Sequence, residues 1–121
     1  MAVSEALADL TPVPRPGRED TVPEAYRWFP ATVPADERDP GGVRLDAAFA
    51  ALTVTGETGR TELLITHNFV IGWFVRRVMR APEWRWMGLN QRNCALTVIR
   101  CSPPAPAALV SFNDCGHLPP G

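Results

Sequence analysis

The sequence predicts one α/β domain in which helices pack on a sheet that has an apolar central strand. Its length of 121 residues is enough for one domain and not for two. Hydrophobic residues make up 45% of the chain and charged residues 21%, which supplies the apolar material for a core. From residue 43 onward, periodicity and turn signals follow in the order helix, strand, helix, strand, strand. We therefore divide the chain into a proline-rich irregular segment, residues 1–41, and an α/β core, residues 42–121.

Prolines dominate the first segment and limit the structures that it can form. They stand at Pro12, Pro14, Pro16, Pro23, Pro30, Pro34 and Pro40. Because proline fixes φ and lacks a backbone N–H donor, this density forbids long helices and central strands. One short helical turn is predicted over residues 23–29, since proline is favoured in the first turn of a helix. We expect the aromatic side chains of this turn to cover an edge of the core.

The core begins with a helix and a strand. Residues 43–52 place apolar side chains at helical spacing and predict a helix with one buried stripe. Asp39-Pro40 comes shortly before them and is a suitable start signal. After a turn at residues 56–59, the apolar run 62–66 predicts a short buried strand.

A second helix and two more strands complete the predicted core. Residues 68–80 predict a helix that is apolar on most sides and ends before Pro82. Arginines occupy its last turns, where cations complement the helix dipole. Residues 95–99 and 107–112 predict two strands, which the breaker at residues 102–104 separates.

Composition excludes several classes of protein. All 12 basic residues are arginine and the net charge is −1, which argues against a non-specific nucleic-acid binder and a polybasic membrane binder. No apolar run reaches the ~18–20 residues that span a bilayer. The first ten residues carry acids and no base, unlike a secretory signal. The 3 cysteines show no C-x-x-C spacing and are predicted to be reduced thiols, so we expect a cytoplasmic protein.

His67 is the leading candidate for a functional residue. It lies where the predicted strand 62–66 ends and the helix 68–80 begins, and open α/β sheets bind ligands at such strand ends. The helix start offers unpaired N–H groups and the positive end of the dipole, which suit a phosphate. A histidine cation there would add a charge-assisted hydrogen bond. The alternative is a structural histidine that caps the helix.

Other candidate groups have structural explanations that we favour. His117 follows the last strand in a segment of turn-forming residues, so we expect a structural role for it. Cys115 and His117 have the spacing of half a zinc site, but no second pair exists and we predict no metal. Arginines interleaved with tryptophans suggest single-strand nucleic-acid stacking, whereas the neutral charge balance favours a solvated helix end with tryptophans at the core edge. They are Arg76, Arg77, Arg80, Trp84, Arg85, Trp86 and Arg92.

Four segments carry a resemblance to a known family. LITHNFVI at residues 64–71 resembles the second catalytic histidine motif of the histidine phosphatase (phosphoglycerate mutase-like) superfamily. LNQRNCALTVI at residues 89–99 looks like its asparagine-containing turn into the next strand, and LVSFNDCGHLP at residues 109–119 like its closing strand and tail. LADLTP at residues 7–12 is similar to its acid segment. The ordered set is most similar to the phosphoglycerate mutase-like serine/threonine phosphatases.

The resemblance implies a phosphoryl-transfer pocket in part of a three-layer α/β/α sandwich. In that family a histidine in Arg-His-Gly on the first strand attacks phosphorus and becomes phosphohistidine. The second histidine, matched here by His67, holds and charge-stabilises the transferring group. His67 and Asn68 are thus expected to bind phosphate, and Asp9 to protonate the leaving oxygen. The resemblance implies neither a metal nor another cofactor.

The chain departs from the family at the nucleophile. It has 2 histidines, and neither lies in Arg-His-Gly. We therefore expect a single incomplete domain over residues 1–121, the C-terminal portion of a phosphomonoester hydrolase without the strand that carries the nucleophile, and inactive alone. The alternative is a non-catalytic remnant that binds phosphorylated ligands or pairs with a partner chain through an open sheet edge. Expected partners are a phosphorylated small molecule or phosphoprotein, and a second copy or complementing chain; nucleic acid and membrane are not expected.

Overall fold

A computed structural model describes residues 10–53, 64–102 and 104–119. In these ranges the strands are β1 (Thr11–Val13), β2 (Arg38–Pro40), β3 (Leu96–Arg100) and β4 (Ala108–Asp114). The α-helices are α1 (Trp28–Thr32), α2 (Val43–Leu52) and α3 (Asn68–Val78). Short 3₁₀ helices occupy Glu19–Thr21, Glu24–Tyr26, Ala35–Glu37 and Glu83–Gly88.

The described strands form two separate pairs. β1 and β2 are parallel, with Val13 opposite Pro40. β3 and β4 are antiparallel, with Ile99 opposite Leu109, and the register shifts near Val98. Helices and small sheets together give the α/β class that the sequence predicts.

The proline-rich segment forms short elements, as expected. Its strands are three residues long, and the predicted turn at 23–29 becomes the 3₁₀ helix Glu24–Tyr26 followed by α1. Pro30 is tolerated in α1 because it lies in the first turn, where its missing N–H would have no helical partner. Phe29 meets Phe69 and Trp86 edge-on, with ring centroids 5.3 and 5.9 Å apart. Phe29 thus gives the expected aromatic cover at the core edge, whereas Trp28 of the same turn is 65% exposed.

A buried carboxylate fixes the start of α2. Asp39 is 1% exposed, and its two oxygens accept the backbone N–H groups of Arg44 at 3.0 Å and Leu45 at 2.9 Å. Both donors belong to the first turn, whose N–H groups have no acceptors within the helix. Gly42 enters the helix at φ 65°, and a Cβ there would collide with the ring of Trp73. The start signal predicted at Asp39-Pro40 therefore acts through the Asp39 side chain.

α3 is the central helix of the core. It ends at Val78, two residues earlier than predicted, and Arg80 follows with a left-handed backbone at φ 53°. Five consecutive or near-consecutive positions of α3 are buried, so the helix is covered on most sides as its composition predicts. The buried cluster consists of Leu10, Leu45, Val70, Trp73, Phe74 and Trp86.

The predicted strand 62–66 differs from what the structure describes. Residues 62 and 63 lie outside the described residues, as does the turn predicted at 56–59, and residues 64–67 form no strand. Ile65 is 71% exposed, although the apolar run predicted a buried strand. A central strand needs hydrogen-bonding neighbours on its edges, and none of the described strands pairs with residues 64–67. The strands predicted at 95–99 and 107–112 are observed as β3 and β4.

Candidate phosphate site at the start of α3

His67 and Asn68 lie together at the start of α3. His67 has an extended backbone at φ −100° and ψ 160°, and its side chain is exposed. Its carbonyl oxygen accepts the N–H of Ile71 at 3.1 Å, the first bond of the helix. The backbone N–H groups before Ile71, in the first turn, have no acceptor within the helix. The side chain of His67 is therefore presented where an anion is favoured.

Asn68 ties the following loop to the start of α3. Its Oδ1 accepts the backbone N–H of Gln91 at 2.9 Å. The 3₁₀ helix Glu83–Gly88, which precedes this loop, approaches α3 closely at Gly72, where an added Cβ would lie 3.1 Å from the carbonyl oxygen of Trp86. The amide nitrogen and oxygen of Gln91 are buried without a hydrogen-bond partner in the described chain. Buried amides without a hydrogen-bond partner are rare. The Gln91 amide therefore has an unused donor and an unused acceptor in the loop that Asn68 holds.

The end of β4 holds the same loop from its other side. The N–H of Arg92 is donated to Oδ1 of Asn113 at 2.8 Å, and His117 Nε2 lies 2.9 Å from the carbonyl oxygen of Cys94. Asn113 and Cys94 both have left-handed backbones. His117 thus contacts the loop 89–95 through the Cys94 carbonyl, which fits the structural role expected of it.

The third predicted site residue, Asp9, lies outside the described residues. Its role as the acid remains a prediction. In the described ranges the structure therefore brings together His67, Asn68 and the loop 89–95, and it says nothing of the distance from His67 to a carboxylic acid.

The far end of α3 carries a polar cluster that the sequence reasoning missed. Trp73 Nε1 donates to Asp46 Oδ1 at 2.8 Å, and Arg77 lies 3.0 Å from the same oxygen. The guanidinium of Arg76 stacks 3.8 Å above the Trp73 ring. Burial lowers the pKa of Arg76, against the raising effects of Asp46 and Glu83. Arg76 was expected at a solvated helix end, whereas its side chain is only 11% exposed.

The tryptophans near these arginines have packing roles. Trp86 is 4% exposed and belongs to the core cluster. Trp84 lies 6.2 Å from Tyr26 between ring centroids, and Arg85 lies over its ring at 5.4 Å. The structure therefore agrees with tryptophans at the core and its edge, and Trp86 offers no free face for stacking.

A comparison with protein families now decides the affiliation. The sequence model of the histidine phosphatase superfamily (branch 1) matches residues 19–114, which include His67, Asn68 and the loop 89–95. The chain belongs to the histidine phosphatase superfamily. The resemblance stated from the four segments is thereby confirmed.

Individual relatives agree with this affiliation and with the predicted branch. The mitochondrial serine/threonine-protein phosphatase Pgam5 of Caenorhabditis elegans is 37% identical over 59 residues, covering 49% of this chain and 21% of that protein. The mouse (Mus musculus) protein PGAM5 is 30% identical over 122 aligned positions, covering 98% of this chain and 41% of that protein. The human (Homo sapiens) PGAM5 is 29% identical over 102 residues, covering 81% of this chain and 34% of that protein.

Two consequences follow from these relatives. The chain spans about two-fifths or less of their length. Their names place them in mitochondria, so the prediction of a cytoplasmic protein is wrong. That prediction rested on free thiols and an acidic start; free thiols indicate only a reducing environment, and neither observation distinguishes one such compartment from another.

Two further features of the described ranges concern metal ions and membranes. There, no three His, Cys, Asp or Glu side chains group closely enough to hold a metal ion. No helix of those ranges has the length and apolar character to cross a bilayer.

Proposed function

We propose that this chain supplies the phosphate-holding wall of a histidine phosphatase site. His67 and the first turn of α3 hold the phosphoryl group. The observation that carries this proposal is the exposed imidazole of His67 at the start of a helix that the family match includes. A cationic imidazole and oriented N–H donors are the groups that stabilise charge on a transferring phosphoryl group.

The loop 89–95 supports the same assignment. Asn68 uses its Oδ1 to fix this loop, so the wall of the site has a rigid second side. The buried and unpaired amide of Gln91 supplies one more donor and one more acceptor at this edge. Asp9 is kept in the proposal as the group that protonates the leaving oxygen.

We propose further that the 121 residues do not turn over phosphomonoesters by themselves. The family reaction requires a nucleophilic histidine in Arg-His-Gly, and neither histidine of this chain stands in that motif. His67 is the phosphate holder, and His117 lies against the Cys94 carbonyl. The nucleophile therefore comes from residues other than these 121.

The proposed substrate class is a phosphoserine or phosphothreonine side chain of a protein. The support is that the nematode and mouse relatives are named serine/threonine-protein phosphatases. A phosphorylated small molecule is the competing substrate class, and a phosphopeptide series compared with sugar phosphates distinguishes the two.

The binding half of the proposal is tested by ligand-induced stabilisation. A ligand that binds only the folded chain raises its melting temperature, and the rise grows with the logarithm of ligand concentration over Kd. Inorganic phosphate and orthovanadate should raise the melting temperature of the wild type and of His117→Ala, but not of His67→Ala. An equal shift in all three proteins, or no shift in any, would exclude His67 as the holder.

The catalytic half is tested by turnover of p-nitrophenyl phosphate. We expect the 121-residue chain to match its His67→Ala variant at background rate. A rate within about tenfold of an intact relative would overturn the inactivity proposal, since a tenfold difference is only ~1.4 kcal/mol of barrier.

The alternative function, pairing with another chain, has one specific observation in its favour. β3 and β4 form a two-stranded sheet, and Leu96, Val98 and Val110 are 41%, 36% and 48% exposed on it. Such open apolar strands invite added strands. Sedimentation velocity should then show a concentration-dependent dimer that Val110→Lys weakens, whereas a monomer throughout rules this alternative out.

A further inference from the structure

Arg80 occupies a backbone position where glycine is usual. The N–H of Arg80 bonds to the Arg77 carbonyl at 3.1 Å, and the N–H of Ala81 bonds to the Arg76 carbonyl at 3.0 Å. This pair of bonds is the Schellman ending of a helix, and Arg80 is its left-handed residue at φ 53°. An L-residue with a Cβ is strained there. Retained strain of this kind points to a use for the side chain.

The helix itself does not explain the arginine. A cation near a helix C-terminus commonly satisfies the last carbonyl groups. Here backbone N–H groups already bond to the carbonyl oxygens of Arg76 and Arg77. In the part of the chain that the structure describes, the guanidinium of Arg80 has neither a hydrogen bond nor an ion pair.

Arg80 instead lines an open groove of about 320 Å³, which we call the α3 groove. The groove lies between α2, the end of α3 and the connection from β3 to β4. Its lining residues are Phe49, Arg77, Val78, Arg80, Pro106 and Ala107. The lining therefore combines apolar side chains with two guanidinium groups, and its volume falls within the range of ligand sites.

The charge around the α3 groove favours an acidic occupant. Arg76 and Arg77 share the carboxylate of Asp46, at 3.9 and 3.0 Å, and Glu83 is a second acid that acts on Arg76. Arg80 adds a third cation without a partner among the described residues, so within those residues three cations face two acids. Arginine is well suited to bidentate contact with a carboxylate.

We propose that the α3 groove is a docking site for an acidic peptide segment of another protein. One carboxylate of the segment meets Arg80 and a second meets Arg77. An aliphatic side chain between them covers Phe49 and Val78. The 11 residues of α3 separate this groove from His67 by about 16 Å. The site is therefore distinct from the phosphate site, and the proposal stands independently of the proposed catalytic role.

The test uses a fluorescein-labelled peptide, Asp-Glu-Leu-Asp-Glu, and fluorescence anisotropy with the 121-residue chain. Arg80→Gly should raise the melting temperature, because glycine relieves the left-handed strain, and should weaken peptide binding at least about fivefold. Cys94→Gly is the matched control, since Cys94 is also left-handed, at φ 63°, and lies outside the groove. It should leave the affinity unchanged.

Three results would contradict an acidic peptide site in the α3 groove. Unchanged affinity in Arg80→Gly, or equal binding of a peptide with lysine in place of its acids, would overturn the proposal. Displacement of the peptide by inorganic phosphate at equal concentration would also overturn it, because the groove would then be a simple anion site. Failure of the His67 tests leaves each of these readouts intact.

Discussion

Asp39 shows how one buried residue determines local structure. Its carboxylate bonds two backbone N–H groups of α2 while being 1% exposed. Bonds to a charged acceptor are stronger than neutral ones, and removal of the acceptor leaves the buried Leu45 donor and the part-buried Arg44 donor without their partner. We expect Asp39→Ala to lower the free energy of unfolding by about 2–3 kcal/mol in urea denaturation. The exposed Asp36→Ala is the control and should change it by less than ~0.5 kcal/mol.

Three glycines allow backbone strain to be separated from steric collision. Gly88 has open space and no positive φ, Gly17 has open space at φ 83°, and Gly42 has φ 65° with the Trp73 ring in the way. Substitution by alanine should therefore be near neutral at Gly88 and cost about 1 kcal/mol at Gly17. At Gly42 it should cost at least ~2–3 kcal/mol, because the buried Trp73 ring must also move to make room for the new Cβ.

Urea denaturation of the three variants measures this order directly. Equal losses at Gly17 and Gly42 would contradict the account, since they would mean that the Trp73 ring moves aside at no cost.

At the residue scale, the sequence was informative where one side chain acts on its own neighbours. Asp39 before an apolar helix is a local signal, and so is Asp114, which starts the expected turn after β4 by accepting the Gly116 N–H on its Oδ1 at 2.8 Å. Asn68 to Gln91 spans 23 residues and Trp73 to Asp46 spans 27. Such long-range pairs have no periodic signature, so they were not predictable.

At the scale of elements, a single carboxylate joins α2 to α3. Asp46 of α2 accepts from Trp73 of α3 and pairs with Arg77. Because Arg77 is 41% exposed, the ion pair contributes little, and the buried indole hydrogen bond contributes most. We expect Asp46→Ala to cost about 1–2 kcal/mol of unfolding free energy and Asp46→Asn less than half of that.

The asparagine variant decides between the two contributions in the same denaturation series. It keeps an acceptor for the Trp73 N–H and removes the charge. A loss as large as that of Asp46→Ala would show that the charge, and not the acceptor, joins these helices.

Helices were predictable from the sequence because their backbone hydrogen bonds join residues of the same segment. α2 matches the predicted 43–52, and α3 begins at the predicted residue 68, because helical hydrogen bonds are internal to the segment. The strands β3 and β4 pair with each other and were also found. The strand expected at 62–66 needs partners from elsewhere, and an apolar run carries no information on whether they are present.

At the scale of the whole molecule, the described fold is two small sheets and α3, and the chain spans about two-fifths of the length of its mouse relative. The family could be named from the sequence because several short motifs occur in the family's order, and recognising them requires no knowledge of packing. The compartment could not, because the features used for it describe solubility and redox state. Both histidines of these 121 residues lie outside an Arg-His-Gly motif.

The measurement that tests the central claim most directly is a phosphate titration followed by proton NMR of the histidine rings. The chain has 2 histidines, so their Cε1–H signals are resolved and His117→Gln assigns them. The account predicts that inorganic phosphate shifts the His67 signal saturably and leaves the His117 signal in place. A saturable shift of His117 alone, or of neither ring at millimolar phosphate, would contradict a phosphate site at the start of α3.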